Sequence, residues 1–162
     1  MGRGFPQKAC RRAGKHRGLE RTARGAALAA RLAYLDTSAY VKLPLRESGY
    51  EGLALELSRW SGFVSSMLLG VEAVRACARY GTAYAADARA WLTDVALMPI
   101  DGEVLDCAST LGSPGLRALD ALHLATALSI EDEIGSFFTY DQRLADAAAA
   151  SGLAVYRPEP PG

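Results

Sequence analysis

From Leu32 onward the chain alternates short apolar runs with segments in which apolar residues recur at helical spacing. Leu32–Leu35 reads as a strand ending at Asp36. Ser38 can cap a short helix that Pro44 interrupts, and Tyr50, Leu53, Ala54 and Leu57 mark a second helical face. Gly62–Ser65 is a second strand, and Ser66 a cap for a helix through Tyr80 closed by Gly81. Tyr84, Ala88, Trp91, Leu92 and Val95 give another helical face, followed by a third strand at Leu97–Ile100. Asp101 can cap a helix reaching Leu111, and a Gly-Ser-Pro-Gly turn follows at 112–115. Leu119–Ile130 is a strongly apolar helix, Ser136–Tyr140 a fourth strand, Gln142–Ala150 a helix and Leu153–Tyr156 a last strand.

Strands separated by helices imply a parallel sheet covered by helices on both faces. Such sheets bind ligands beyond the carboxyl ends of their strands, where the strand order reverses. The residues standing at those ends are therefore the ones to search for chemistry.

Charge divides the chain unevenly. Residues 1–31 hold nine Lys or Arg and a single acidic residue, Glu20, whereas the remainder holds nine basic against seventeen acidic residues. The first segment is rich in Arg, Gly and Ala, shows no sustained apolar period, and reads as a disordered basic leader. It could be an arm that grips RNA or a partner, or the product of a start assigned too far upstream. The folded domain is expected over 32–158, with a structureless tail at 159–162. The longest stretch without charge, Trp60 to Val71, is too short to span a bilayer, for which roughly 20 apolar residues are needed. No apolar segment of secretory type follows the basic start, so a cytoplasmic protein is expected.

Asp36 follows strand one directly, and Asp141 follows strand four directly. Asp120 begins the helix after the Gly-Pro turn. Glu72 lies about two turns into the helix after strand two, with Leu68, Leu69, Val71, Ala73 and Val74 around it. Helix side chains lean toward the N-terminus, so Glu72 can point back toward the strand ends. All four are candidates for one cleft. Clustered carboxylates repel one another and would take up protons unless a cation offsets them. Mg²⁺ or Mn²⁺ suits an all-oxygen donor set, whereas the absence of a Cys or His cluster speaks against zinc. Singly, each residue has a plainer reading. An Asp that opens a helix is usually a cap worth about 1 kcal/mol, and a Glu within one is usually solvated. His123, three residues after Asp120, suits a structural or hydrogen-bonding role better than that of general base. Tyr140, Trp60 and Trp91 could stack on bases, but core packing is the expectation for both Trp residues.

Four segments together resemble the PIN domain in order and spacing. They are Leu-Asp-Thr-Ser-Ala at 35–39, Leu-Leu-Gly-Val-Glu-Ala-Val-Arg at 68–75, Leu-Arg-Ala-Leu-Asp-Ala-Leu-His-Leu-Ala-Thr-Ala at 116–127 and Phe-Thr-Tyr-Asp-Gln-Arg-Leu at 138–144. The third resembles the VapC toxins of bacterial toxin–antitoxin operons. The resemblance covers Leu32 to about Pro158. It implies a three-layer α/β/α domain with a central, mostly parallel sheet. It also implies Mg²⁺- or Mn²⁺-dependent RNA cleavage, a homodimer, and neutralisation by a cognate VapB-type antitoxin. Asp36, Glu72, Asp120 and Asp141 match the family's acidic quartet, with Asp36 and Asp120 as the expected direct metal ligands. Thr139 matches the hydroxyl residue before the last Asp and is expected to orient the site, with Ser38 in support. The first 31 residues depart from the pattern, since VapC proteins usually begin at the first strand. With RNA as substrate, the acidic body needs metal to offset its charge and basic surface from elsewhere.

Other functions fit less well. A housekeeping PIN nuclease in RNA processing would use the same chemistry without a toxin role. A phosphatase of the haloacid dehalogenase type needs Asp-x-Asp after strand one, but position 38 is Ser, and Lys42 is the only Lys after residue 15. A non-catalytic module that kept the fold is disfavoured because all four acidic positions are filled.

Overall fold

The computed structural model describes residues 32–111 and 115–156. The expected basic leader at 1–31, most of the turn at 112–115 and the tail at 159–162 lie outside them. Among the described residues, five strands are interspersed with seven α-helices: β1 Leu32–Leu35, α1 Thr37–Leu45, α2 Tyr50–Leu57, β2 Phe63–Ser66, α3 Leu69–Ala78, α4 Thr82–Trp91, β3 Val95–Met98, α5 Gly102–Thr110, α6 Ala118–Ser129, β4 Ile134–Phe138, α7 Gln142–Ala150 and β5 Val155–Tyr156.

The strands form one sheet in the order β3-β2-β1-β4-β5, and every pairing is parallel. Side chains alternate across it with period two. Ala33 and Leu35 pack on one face with Ala39, Tyr40, Leu53, Ala73, Cys77 and Ala88, from α1 to α4. Tyr34, Val64 and Phe137 pack on the other with Leu124, Leu128, Leu144 and Ala148, from α6 and α7. The result is the expected three-layer α/β/α sandwich. The chain builds β1, β2 and β3 outward in one direction, then returns to place β4 on the free side of β1. The order therefore reverses between β1 and β4, and the crevice at their carboxyl ends is where this topology places a ligand.

Several local expectations shift. Asp36, not Ser38, caps α1: its backbone is extended (φ −80°, ψ 172°) and its carboxylate accepts from the Ala39 N–H. The helix runs through Pro44 and stops one residue later, where Arg46 turns left-handed at φ 49°. Helix α3 starts at Leu69 rather than just after Ser66, because Ser66 is the last residue of β2. Glu72 consequently lies in the first turn of α3. Helix α4 ends at Trp91, and a 3-10 turn at Leu92–Asp94 leads into β3 two residues earlier than the apolar run suggested. Strand β4 begins at Ile134, opposite Leu32 of β1, and ends before Thr139. Gln142–Ala150 and Leu32–Leu35 fall where the pattern placed them.

Candidate active site

Each of the four carboxylates stands at the N-terminal end of a helix. Asp36 and Asp141 are the N-caps of α1 and α7, while Glu72 and Asp120 occupy the first turns of α3 and α6. The partial positive charge of a helix N-terminus favours a carboxylate there and offsets part of their mutual repulsion.

Asp36 is buried at 4 % exposure yet fully hydrogen-bonded. Its Oδ1 accepts from Ala39 N–H at 2.9 Å and from the Ser38 hydroxyl at 2.8 Å. Its Oδ2 lies 3.0 Å from the same hydroxyl and accepts from Thr139 Oγ1 at 2.9 Å. Burial nonetheless pushes this carboxyl above the ordinary carboxylate range, against the lowering pull of the Ala39 N–H, His123 and the two hydroxyls. Ser38 and Thr139 also join the ends of β1 and β4. Ser38 Oγ accepts from Tyr140 N–H at 2.8 Å, and Thr139 Oγ1 accepts from Asp141 N–H at 3.1 Å. Each hydroxyl thus bonds both the Asp36 carboxylate and a backbone N–H just beyond β4.

Glu72 is held by residues of two other elements. Thr37 donates its hydroxyl to Glu72 Oε2 at 2.6 Å, and His123 Nε2 lies 2.9 Å from the same oxygen. Burial would raise this carboxyl, but the His123 and Thr37 hydrogen bonds outweigh it and hold Glu72 below its ordinary range. His123, at 2 % exposure, also places Nδ1 3.1 Å from the Tyr34 hydroxyl. A hydrogen-bonding role for His123 is what the geometry shows.

Asp120 and Asp141 differ in how they are satisfied. Asp141 Oδ1 accepts from Arg143 N–H at 2.8 Å and Leu144 N–H at 3.1 Å, so this residue is a helix cap whatever else it does. Asp120 is not a cap, since Arg117 holds that position. Asp120 Oδ2 is buried with no hydrogen-bond partner. Burial raises its carboxyl, the neighbouring Asp141 raises it further, and Arg117 opposes both. A buried, orphaned carboxylate oxygen beside a second carboxylate is a costly arrangement for an apo protein. A hard divalent cation would relieve it. Among the described residues no three Asp, Glu, His or Cys side chains stand close enough to make a ready-built cage. A cation that keeps several waters and takes only one or two carboxylates needs none. The donors present are oxygens, and they fit Mg²⁺ or Mn²⁺ rather than zinc.

The structure therefore joins the four positions in a linked set. Asp36 reaches the Asp141 backbone through Thr139, Asp141 acts electrostatically on Asp120, and His123, three residues after Asp120, binds Glu72. Sequence reasoning missed Thr37 and Tyr34 as members. Thr37 could have been found, because a hydroxyl directly after Asp36 was in view. Tyr34 reads only as an apolar strand residue. Of the aromatics, Trp60 packs edge-on against Phe138 at 5.5 Å, as expected of a core residue. Trp91 does not: it is 43 % exposed at the end of α4. Tyr140 lies beneath the Lys42 ammonium, 4.5 Å from the ring centroid.

Residues 33–150 match the PIN domain family. The chain is 41 % identical over 125 residues to ribonuclease VapC46 of Mycobacterium tuberculosis strain ATCC 25618 / H37Rv, covering 77 % of this chain and 96 % of the relative. It is 36 % identical over 130 residues to ribonuclease VapC47 of M. tuberculosis strain CDC 1551 / Oshkosh, with the same coverage. The fold matches the crystal structure of M. tuberculosis VapC20, a toxin that cleaves the sarcin-ricin loop. That match has a TM-score of 0.60 at 20 % identity and covers 78 % of this chain and 99 % of the other. With the family match over residues 33–150 and these relatives in agreement, the chain belongs to the PIN-domain family, as a ribonuclease of the VapC type.

Proposed function

We propose that this chain is a toxin endoribonuclease. It cleaves RNA phosphodiester bonds with Mg²⁺ or Mn²⁺ held by Asp36 and Asp120, and a short VapB-type antitoxin neutralises it. The observation that carries the reading is Asp120 Oδ2, buried without a partner beside Asp141. The 41 % identity to a VapC ribonuclease supports the reaction class.

When bound, the cation supplies charge neutralisation for the phosphate and a water acidic enough to attack in line near neutral pH. The residues of the chain do the rest. Thr139 and Ser38 hold the Asp36 carboxylate in one orientation. Asp141 keeps Oδ1 on the α7 N-terminus, which leaves Oδ2 as its oxygen for the cleft. Glu72, kept ionised by Thr37 and His123 at Oε2, offers Oε1 as a proton acceptor. An antitoxin Arg can pair bidentately with these carboxylates and block the site, since a planar guanidinium matches carboxylate geometry.

The test is cleavage of RNA by the purified chain in Mg²⁺, in Mn²⁺ and in EDTA, beside Asp120→Asn. Cleavage is expected only for the wild type with metal. Cleavage at the wild-type rate in EDTA, or by Asp120→Asn with metal, would refute the assignment.

A further inference from the structure

A buried row of hydrogen bonds runs from the core to the candidate site, and only its last member is an acid of the quartet. Ser66 N–H donates to the Tyr34 hydroxyl oxygen at 3.1 Å. The Tyr34 hydroxyl lies 3.1 Å from His123 Nδ1, and His123 Nε2 lies 2.9 Å from Glu72 Oε2. Thr37 closes the row by donating to the same Oε2 at 2.6 Å. Tyr34 is fully buried, and its ring is edge-on to His123 and stacked on Phe137 at 4.9 Å. The members come from β1, β2, α1, α3 and α6, so no local pattern produces the row.

The direction of the protons follows from the donors. The Tyr34 oxygen already accepts from a backbone N–H, so its own proton is available for Nδ1. An imidazole that accepts at Nδ1 carries its proton on Nε2, the nitrogen facing Glu72. We propose that His123 is a positioning residue for Glu72: Tyr34 sets its tautomer, and its Nε2–H anchors Glu72 Oε2, leaving Oε1 for the reaction. This inference rests on the proposed carboxylate site and deepens it. Partners that orient an acid in this way are found around working sites and cost activity when removed.

Two measurements test it on the full chain. The first needs no activity: long-range ¹H–¹⁵N spectra of the metal-free protein read the protonation of each ring nitrogen. A proton on Nε2 is expected. An unprotonated Nε2 overturns the proposal, because a lone pair would then face the carboxylate.

The second compares His123→Leu and His123→Gln with the wild type in RNA cleavage, with melting curves to confirm folding. Leu removes the donor, whereas Gln can still donate an amide N–H to Glu72. Loss of a hydrogen bond to a charged group predicts a roughly 10- to 100-fold fall in kcat for His123→Leu with KM little changed. Partial recovery is expected in His123→Gln. Full activity in folded His123→Leu, or a folded Gln variant no better than Leu, overturns the proposal. Asp36→Asn serves as the separate control. If it too stays active, the carboxylate site itself is refuted; if it is inactive while His123→Leu is fully active, only the role of His123 falls. Should His123→Leu fail to fold, the nitrogen spectra and the Gln variant still decide.

Discussion

Thr139 donates its hydroxyl to Asp36 Oδ2 at 2.9 Å, across 103 residues of chain, and accepts from the Asp141 N–H with the same oxygen. One side chain thereby sets the orientation of an acid at the end of β1 and the backbone of another after β4. It can do so because these two strands are parallel neighbours, with Leu35 opposite Phe138.

Thr139→Val keeps the shape and removes the hydroxyl. It leaves the Asp141 N–H without its acceptor and Asp36 Oδ2 with one donor fewer. A loss of about 1–3 kcal/mol in stability is expected for a buried group left unsatisfied, together with a marked fall in RNA cleavage. Thr139→Ser should recover most of both. Denaturant melts and cleavage rates of the two variants check this, and a Val variant as active as the wild type would remove Thr139 from the site.

Metal should stabilise the folded chain, because a ligand that binds the native state alone raises its stability by mass action. Titrating Mn²⁺ into the EDTA-treated protein is expected to raise Tm, and Asp120→Asn to abolish most of that rise. Identical melting in EDTA and in saturating Mn²⁺ would contradict the assignment of Asp36 and Asp120 as ligands.

The buried charge of Asp36 gives a pH dependence of defined sign. Its folded pKa is raised, so the native state holds this proton more tightly than the unfolded chain. Stability from this group is greatest in acid and falls as pH rises from the ordinary carboxylate range through the raised folded value. Glu72 runs the other way. Its folded pKa is lowered, so its contribution is complete above the ordinary value and is lost as pH falls through the lowered one. Without metal, Asp36→Asn should therefore melt at or above the wild type at neutral pH, since Asn caps a helix about as well as Asp. The gap should close in acid. A variant several degrees less stable than the wild type in EDTA at neutral pH would show that the Asp36 charge is not a burden.

In the cell, an unopposed RNase halts growth. Induced expression of this chain alone is expected to reduce colony counts, and co-expression of a neighbouring short gene to restore them. Asp36→Asn and Asp141→Asn should need no such rescue. Full viability of the induced wild type, with soluble protein confirmed by blot, would favour a housekeeping nuclease. Equal toxicity of the variants would place the cause outside the carboxylate site.

The alternation of strands and helices was legible because amphipathic period and cap chemistry act over a few residues. For the same reason Asp36 could be placed at a strand end and Asp101 at a helix start, where it does accept from Val104 N–H at 2.9 Å; Asp141, expected directly after strand four, instead stands three residues beyond β4, as the cap of α7. Local chemistry was ambiguous where neighbours were equally able. Asp36 and Ser38 are both capping residues, and Asp36 takes the cap because the helix already begins at Thr37. Ser38 is thereby released to accept from Tyr140 N–H. Strand limits depended on a partner: β4 starts at Ile134 because Leu32 lies opposite. The tertiary structure alone decided that β1 lies between β2 and β4. From that order come the Thr139–Asp36 bond, the Tyr34–His123 contact and the capture of Glu72. Hydrogen bonds between residues 35 to 103 positions apart depend on sheet order and register. A strand's own residues state which face is apolar, and they do not state which strand will lie alongside it.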